Sequence, residues 1–118
     1  MATRDLATEV REDHRTTTVT WEGLTQGDDG RAISFGYSPE RTIQVFGTFA
    51  GAVLRFEGSL ETMSPSKWAA LTDPQGNPLE IAADGIEMVM ENTAWVRPVV
   101  VGGAAGTDLT VILFSRFK

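Results

Sequence analysis

The sequence predicts an all-β protein built as an antiparallel β-sandwich. Short runs of β-branched and aromatic residues alternate with clusters of Gly, Pro, Asp and Asn about every 8–12 residues, which is typical of strands joined by tight turns. No segment keeps an apolar stripe with the ~3.6-residue spacing of a helix over several turns. A chain of 118 residues also has the length of one domain with a single core.

The amino-terminal segment differs from the remainder of the chain. Residues 1–13 are polar, mixed in charge and poor in large apolar side chains, which predicts an extended arm. A short helix is the alternative, because Leu6 and Val10 have the spacing of one helical turn. Strand-like runs begin at His14, so we divide the chain into an arm, residues 1–13, and a β-sandwich domain, residues 14–118.

The first half of the domain contains a series of predicted strands. They cover residues 16–21, 32–35, 42–49 and 52–59. A turn rich in Gly and Asp follows the first of them, because these residues tolerate the backbone angles of tight turns. The strand over 42–49 has the strongest pattern. Ala50 and Gly51 follow it, and we predict that 52–59 returns as its partner in a β-hairpin.

The second half continues the same pattern. Its predicted strands cover residues 79–82, 86–91, 95–101 and 107–117. Pro98 indicates an edge or a bulge, because proline cannot donate to a sheet ladder. The last strand is apolar on both faces, so we expect it to be central or covered by a partner chain. Together the runs make about eight or nine strands, which favours a jelly-roll-like sandwich.

Composition excludes several classes of site. The chain has no Cys, which excludes a disulfide scaffold and any thiolate metal site. A single His excludes a multi-histidine metal site within one chain. Lys and Arg number 10 against 16 Asp and Glu, so the net charge of -6 disfavours binding to nucleic acid. Charges interrupt the amino terminus, and no apolar run reaches the ~20 residues of a membrane helix, so we expect a soluble protein made in a cytoplasm.

The residues that could carry chemistry have simpler interpretations. His14 lies in a polar stretch beside Asp13 and Arg15, where nothing would hold it as a catalytic base. The Asp-Asp-Gly sequence at 28–30 offers too few oxygens for calcium and reads as a turn. The glycines of 102–106 precede a strand rather than a helix and lack the lysine of a phosphate loop.

Two carboxylate pairs complete the search for catalytic groups. Glu57 with Glu61, and Glu87 with Glu91, could be proposed as glycosidase pairs. Residues four apart on a strand lie about 13 Å apart, however, which fits neither glycosidase geometry. We therefore expect solvated strand faces, and no enzymatic activity, cofactor, metal or small-molecule substrate.

Aromatic and basic residues suggest contact surfaces. Trp21, Trp68 and Trp95 are expected in the core or at a subunit interface, with a sugar-stacking platform as the alternative. Arginines are concentrated in the first third of the chain, and we identify Arg4, Arg11 and Arg15 as candidates for docking on an acidic surface. A solvated tail is the other interpretation of that segment.

Several stretches resemble one group of viral proteins. They are residues 41–49, 54–59, 68–79, 91–92, 95–98 and 102–111. Their turns and strands are similar to small proteins encoded beside the major capsid gene of tailed bacteriophages, over about residues 18–116. Relatives often have a polar Asn/Asp-Gly turn after the equivalent of Gly58-Ser59, whereas this chain has a longer, more apolar loop at 60–65.

The resemblance implies a function as a capsid decoration, or cement, protein. Such proteins are β-sandwich or jelly-roll modules without catalytic residues that clamp the capsid lattice, often as dimers or trimers. The resemblance implies the major capsid protein and the chain itself as partners, and the outer surface of the virion capsid as location. A carbohydrate-binding or adhesin-like module of a phage particle is the alternative, since lectins share the sandwich architecture.

Overall fold

The strands form two sheets. The computed structural model describes residues 3–4, 8–13, 16–34 and 40–116, with side chains for 16–34 and 40–116. Among these residues every regular element is a strand: β1 Thr3–Arg4, β2 Thr8–Asp13, β3 Thr16–Leu24, β4 Asp29–Gly30, β5 Ile33–Ser34, β6 Glu40–Thr48, β7 Ala52–Ser59, β8 Ala69–Ala70, β9 Glu80–Ile81, β10 Gly85–Val89, β11 Trp95–Gly102 and β12 Asp108–Arg116.

The two sheets have different strand orders. The five-stranded sheet runs β10-β6-β12-β3-β2, and the seven-stranded sheet runs β1-β4-β11-β7-β8, with β5 on β11 and β9 on β7. All pairings are antiparallel except the short pair β1–β4. The predicted all-β antiparallel sandwich is confirmed. The structure has more strands than the predicted eight or nine, because β2 lies in the segment predicted as an arm and because β1, β4 and β8 are two-residue pairings too short to leave a sequence pattern.

The core lies between the inner faces of the two sheets. β3, β6 and β12 of the five-stranded sheet alternate buried and more exposed residues, so each buries one side. β7 and β11 of the seven-stranded sheet alternate over part of their length and are buried at three or four consecutive positions elsewhere. Trp21 of the five-stranded sheet packs edge to face against Phe56 of the seven-stranded sheet, with ring centroids 6.2 Å apart. The Trp21 indole N–H donates to the Arg31 carbonyl at 2.9 Å, so burying this ring leaves no polar atom unsatisfied.

The chain crosses between the sheets at tight turns. β6 lies in the five-stranded sheet and β7 in the seven-stranded one, so the predicted hairpin between 42–49 and 52–59 is wrong. The turn is present, with positive φ at Ala50 and Gly51 and a 2.9 Å hydrogen bond from the Ala52 N–H to the Phe49 carbonyl. Because both strands carry an apolar face, the reversal lets each sheet contribute one of them to the core. The connections β3–β4, β9–β10 and β11–β12 cross in the same way.

Pro98 lies inside a sheet rather than at the predicted edge. β11 pairs with β7 along its whole length, and on its other side β5 pairs at Trp95 and Val96 while β4 pairs at Val99. The Val100 N–H donates to the Asp28 carbonyl on that second side. Alternate residues of a strand share the direction of their backbone groups. The nitrogen of Pro98 therefore faces the gap between β5 and β4, where no ladder donor is required.

One end of the core is closed by a buried cation. Arg41 of β6 is buried, and its guanidinium donates to the Thr93 carbonyl at 2.8 Å and to the Thr93 hydroxyl at 3.3 Å. Burial lowers the pKa of Arg41 to about 10, so the side chain stays charged at neutral pH. Because Thr93 leads into β11, this contact ties the two sheets together.

We expect that Leu113→Ala lowers the free energy of unfolding by about 2–5 kcal/mol, because it leaves a cavity between the sheets. Leu113 is 0% exposed. Leu60 is 72% exposed, so Leu60→Ala is the matched control and should change stability by less than about 0.5 kcal/mol. Urea denaturation measures both. Equal losses in the two variants would contradict the assignment of the core.

Candidate interaction surfaces

The outward side of the five-stranded sheet carries large apolar side chains. Phe46 is 37% exposed, Ile86 62%, Met88 48% and Phe114 46%, and Ile112 between them is half-buried. We call this set the apolar face. Exposed apolar residues are ordinary when scattered, but a contiguous patch usually marks an interaction site.

Register brings these residues together from strands that are distant in sequence. Ile86, Gln44 and Ile112 lie opposite one another across β10, β6 and β12. Directly opposed residues on neighbouring strands have Cβ atoms about 5 Å apart, so side chains in one row touch. Residues two positions along a strand lie on the same face, which places Phe114 and Met88 beside this row. A shallow depression of about 290 Å³ lies among these side chains.

The next row repeats the arrangement. Met88, Thr42 and Phe114 are aligned across the same strands, and Phe46 lies opposite Thr110 further along. β3 continues the two rows with Thr18 and Thr20. The described centre of this outward face is therefore apolar or neutral.

Charged groups lie toward the ends of the same face. The Arg116 guanidinium approaches the Glu40 carboxylate at 3.4 Å at one end of the sheet. Exposed Asp108 and Glu22 lie toward the other end. The face therefore has an apolar centre and a charged rim, an arrangement that protein interfaces commonly show.

The outward side of the seven-stranded sheet is different. Arg97 forms ion pairs with Glu57 at 3.0 Å and with Asp29 at 3.1 Å, and the Trp68 ring lies 4.2 Å from its guanidinium carbon. Arg55 extends the network, with a guanidinium nitrogen 3.6 Å from the Glu57 carboxylate. Opposite charges thus neutralise one another on this side, and an aromatic ring covers the central cation.

A capped loop holds Trp68 in place. The Glu61 carboxylate accepts the backbone N–H groups of Ser66 and Lys67, each at 2.7 Å. Those two hydrogen bonds stabilise the ionised form and lower the pKa of Glu61. The loop over 60–65 that differs from the resembling proteins is therefore closed by its own glutamate, immediately before Trp68.

The turn at 28–30 has a structural role. The Asp28 carboxylate accepts the Thr25 N–H at 2.8 Å and the Thr25 hydroxyl at 2.7 Å. Asp29 pairs with Arg97. A Cβ on Gly30 would lie 2.6 Å from Pro98 and 2.7 Å from Trp21, so only glycine fits there. The local contacts account for each residue of this motif.

The three tryptophans do not form one platform. Trp21 is buried in the core, whereas Trp68 and Trp95 are half-buried, with Trp68 stacked on Arg97. Trp21 is therefore not available for the sugar-stacking alternative, whereas Trp68 and Trp95 remain partly accessible.

Two of the three predicted docking arginines belong to described strands. Arg4 is in β1 and Arg11 in β2, which pairs with β3 at the margin of the five-stranded sheet. Part of the predicted arm, Thr8–Asp13, is thus an edge strand. The side chains of these two arginines, together with His14 and Arg15, lie outside the described residues.

Three of the four carboxylates considered as glycosidase pairs interact with different residues and do not face each other across a cleft. Glu57 belongs to the Arg97 network and Glu61 caps its loop. Glu91 accepts hydrogen bonds from the backbone and hydroxyl of Thr72, and these outweigh desolvation and lower its pKa. In the described part of the chain, no three His, Asp or Glu residues are grouped as metal ligands, and no helix is long and apolar enough to span a membrane.

Sequence reasoning did not identify the apolar face or the Arg97 network. The alternation of Ile86, Glu87 and Met88, and the two-sided pattern of the last strand, were signals for the face. Which strands are neighbours decides whether such residues meet, and no local pattern reveals that order.

We expect that Arg97→Met lowers the free energy of unfolding by about 1–3 kcal/mol, because Glu57 and Asp29 both lose their ion pair with Arg97, and the remaining Arg55–Glu57 contact is longer, at 3.6 Å. Arg116→Met is the control, since the Arg116–Glu40 pair is exposed and worth less than about 1 kcal/mol. Chemical denaturation at neutral pH compares the two. If Arg97→Met costs no more than its control, the network does not stabilise this sheet.

Comparison with known proteins identifies a similar fold. The SPBc2 prophage-derived protein YomS matches with a TM-score of 0.63 and 15% identity, over 89% of this chain and 97% of that chain. Protein NMB1881 from Neisseria meningitidis matches at a TM-score of 0.44 and 13% identity, over 96% of this chain and 86% of that one.

IMPa from Pseudomonas aeruginosa, solved with an O-glycopeptide, matches at a TM-score of 0.44 and 12% identity, over 87% of this chain and 12% of that one. No protein-family model and no curated protein sequence matches the chain. The chain thus shares its fold with a prophage-derived protein over nearly the full length of both.

Proposed function

We propose that this chain is a structural protein of a bacteriophage particle, a head decoration protein that binds the major capsid protein lattice and stabilises it. Two similarities support a phage origin: the resemblance over residues 18–116 and the fold shared with the prophage-derived YomS. On this proposal the protein is made in the cytoplasm of the bacterial host and resides on the outer capsid surface.

The observation that favours a contact function, whichever protein is the partner, is the apolar face. Ile86, Met88 and Phe114 take no part in the protein's own core. Keeping such side chains exposed brings the chain no folding energy, so their contribution comes when another surface covers them. This favours a protein that works through contact area.

The fold suits repeated binding to a lattice. The two sheets are joined through Trp21, Phe56 and Arg41. A rigid sandwich of this kind can hold two neighbouring protein surfaces in a fixed position. On a capsid the same weak contact recurs many times, and linked contacts gain affinity through effective concentration. Stabilising the lattice in this way requires no reactive group.

We assign the capsid contact to the amino-terminal strands. Arg4, Arg11 and Arg15 all belong to the first fifteen residues of a chain whose net charge is -6. β2, which contains Arg11, lies at the margin of the five-stranded sheet, and its second edge is free of pairing with any described strand. Basic residues grouped in this segment suit an acidic or carboxylate-rich capsid surface.

A binding assay tests this function. Purified protein is mixed with expanded bare heads of the phage or prophage that encodes the chain, and bound copies are counted after sedimentation. We expect saturation at a fixed number of copies per capsid subunit. No binding at high micromolar concentration would contradict the proposal.

Substitution of all three arginines tests the contact. We expect Arg4, Arg11 and Arg15 changed together to Ala to weaken head binding at least ~10-fold, because charge-assisted contacts are lost. Changing Arg31 and Lys67, which are exposed elsewhere, to Ala is the control and should have little effect. If both sets weaken head binding equally, binding depends on the net charge of the protein and not on the amino-terminal arginines.

A further inference from the structure

We infer that two copies of this chain associate through the apolar face, sheet against sheet, as a two-fold dimer. This goes beyond capsid binding, which the preceding section assigns to the amino-terminal arginines. The inference rests on the size, the charge and the shape of the outward side of the five-stranded sheet.

The size of this side matches what a stable dimer needs. β3, β6 and β12 have nine residues each, which gives strands about 30 Å long at ~3.3 Å per residue. β10 is shorter, with five residues, and β2 is left out because we assign it to the capsid contact. With strands about 4.8 Å apart, the remaining face measures about 500 Å² per copy before side-chain relief is counted, which reaches the ~1,000 Å² total of a biological interface.

The charge distribution favours a copy of the same chain. Two molecules with a net charge of -6 repel each other, so they can associate only where little like charge is brought together. The described centre of this face is neutral: the apolar residues are accompanied by Thr18, Thr20, Thr42, Gln44 and Thr110. The Arg116–Glu40 pair at the rim carries both signs and can exchange partners with its copy.

The arrangement of the apolar residues is self-complementary. They follow three neighbouring strands, β10, β6 and β12, as one stripe. A two-fold axis lying in the interface and passing through this stripe places it on its own copy. Two sheets packed in this way lie about 10 Å apart with strands near ~30°, so Phe46 and Phe114 would fill the space between them.

Pairing of two copies through the open edge of β10 is disfavoured. The outer edge of β10 is the open edge nearest the apolar face, but the Met90 N–H already donates to the Thr72 carbonyl at 2.8 Å. An antiparallel pair of β10 strands centred on its middle residue would also set Glu87 against Glu87 of its copy. Like charges directly opposed destabilise a strand pair. The flat side of the sheet is the better surface.

Sedimentation of the full chain tests the dimer. Analytical ultracentrifugation from about 1 to about 100 µM should show a concentration-dependent shift from one chain to two. Met88→Ser combined with Phe114→Ser should raise the dissociation constant at least ~30-fold, because it removes large side chains from the centre of the interface. Both positions are exposed in one copy, so thermal melts of the variant at low concentration should match the unchanged chain.

A matched control uses apolar residues elsewhere. Leu60 and Met63 are exposed on the loop over the seven-stranded sheet, so Leu60→Ser with Met63→Ser should leave the dimer intact. A monomer throughout the concentration range, a trimer, or a dimer that survives Met88→Ser with Phe114→Ser would overturn the inference.

The outcome is separable from that of the head-binding assay. A dimer that binds no heads would contradict the capsid proposal alone. A monomer that binds heads, and loses that binding with Met88→Ser and Phe114→Ser, would overturn the dimer and assign the apolar face to the capsid protein.

Discussion

The structure depends on the burial of one side of each sheet against the other. Trp21 and Phe56 meet at the centre of this contact, and the alternation of strand side chains fixes which residues face inward. A shift of one residue in register would exchange the two sides of a strand completely. The register that directs Leu113 and Val111 into the core therefore also directs Ile112 and Phe114 outward. The register of the core therefore fixes which residues lie on the apolar face, but it does not require those residues to be apolar.

The outward sides of the two sheets differ in their side chains, which are charged on the seven-stranded sheet and apolar on the five-stranded one. On the seven-stranded sheet, Arg97 pairs with Glu57 and Asp29 and is covered by Trp68, so these opposite charges meet within the chain. On the five-stranded sheet the side chains of the apolar face form no such ion pairs with the described residues, and they are exposed or half-buried. Hydrophobic area without a partner gains free energy only when it is removed from water. Because of this difference, we propose an interface on the outward side of the five-stranded sheet and not on that of the seven-stranded sheet.

The sequence was sufficient to predict the fold class and several strands, but not their neighbours. The pattern over 42–49 matches β6, and that over 52–59 matches β7, because alternation is a local property. The same two strands were wrongly paired as a hairpin, since a tight turn reverses the chain equally well within a sheet or between sheets. The Arg97 network was also beyond local patterns, because its acidic partners are 40 and 68 residues away. The two-sided last strand did indicate a central or covered position, and β12 is central.

The central claim is that the protein works by contact, with paired copies attached to a capsid. Cryo-electron microscopy of the intact particle tests this claim most directly. We expect β-sandwich density on the outside of the head, in pairs whose five-stranded sheets face each other and whose amino-terminal strands touch the capsid protein. Heads that lack this density, or copies whose apolar faces are turned to solvent, would contradict the account.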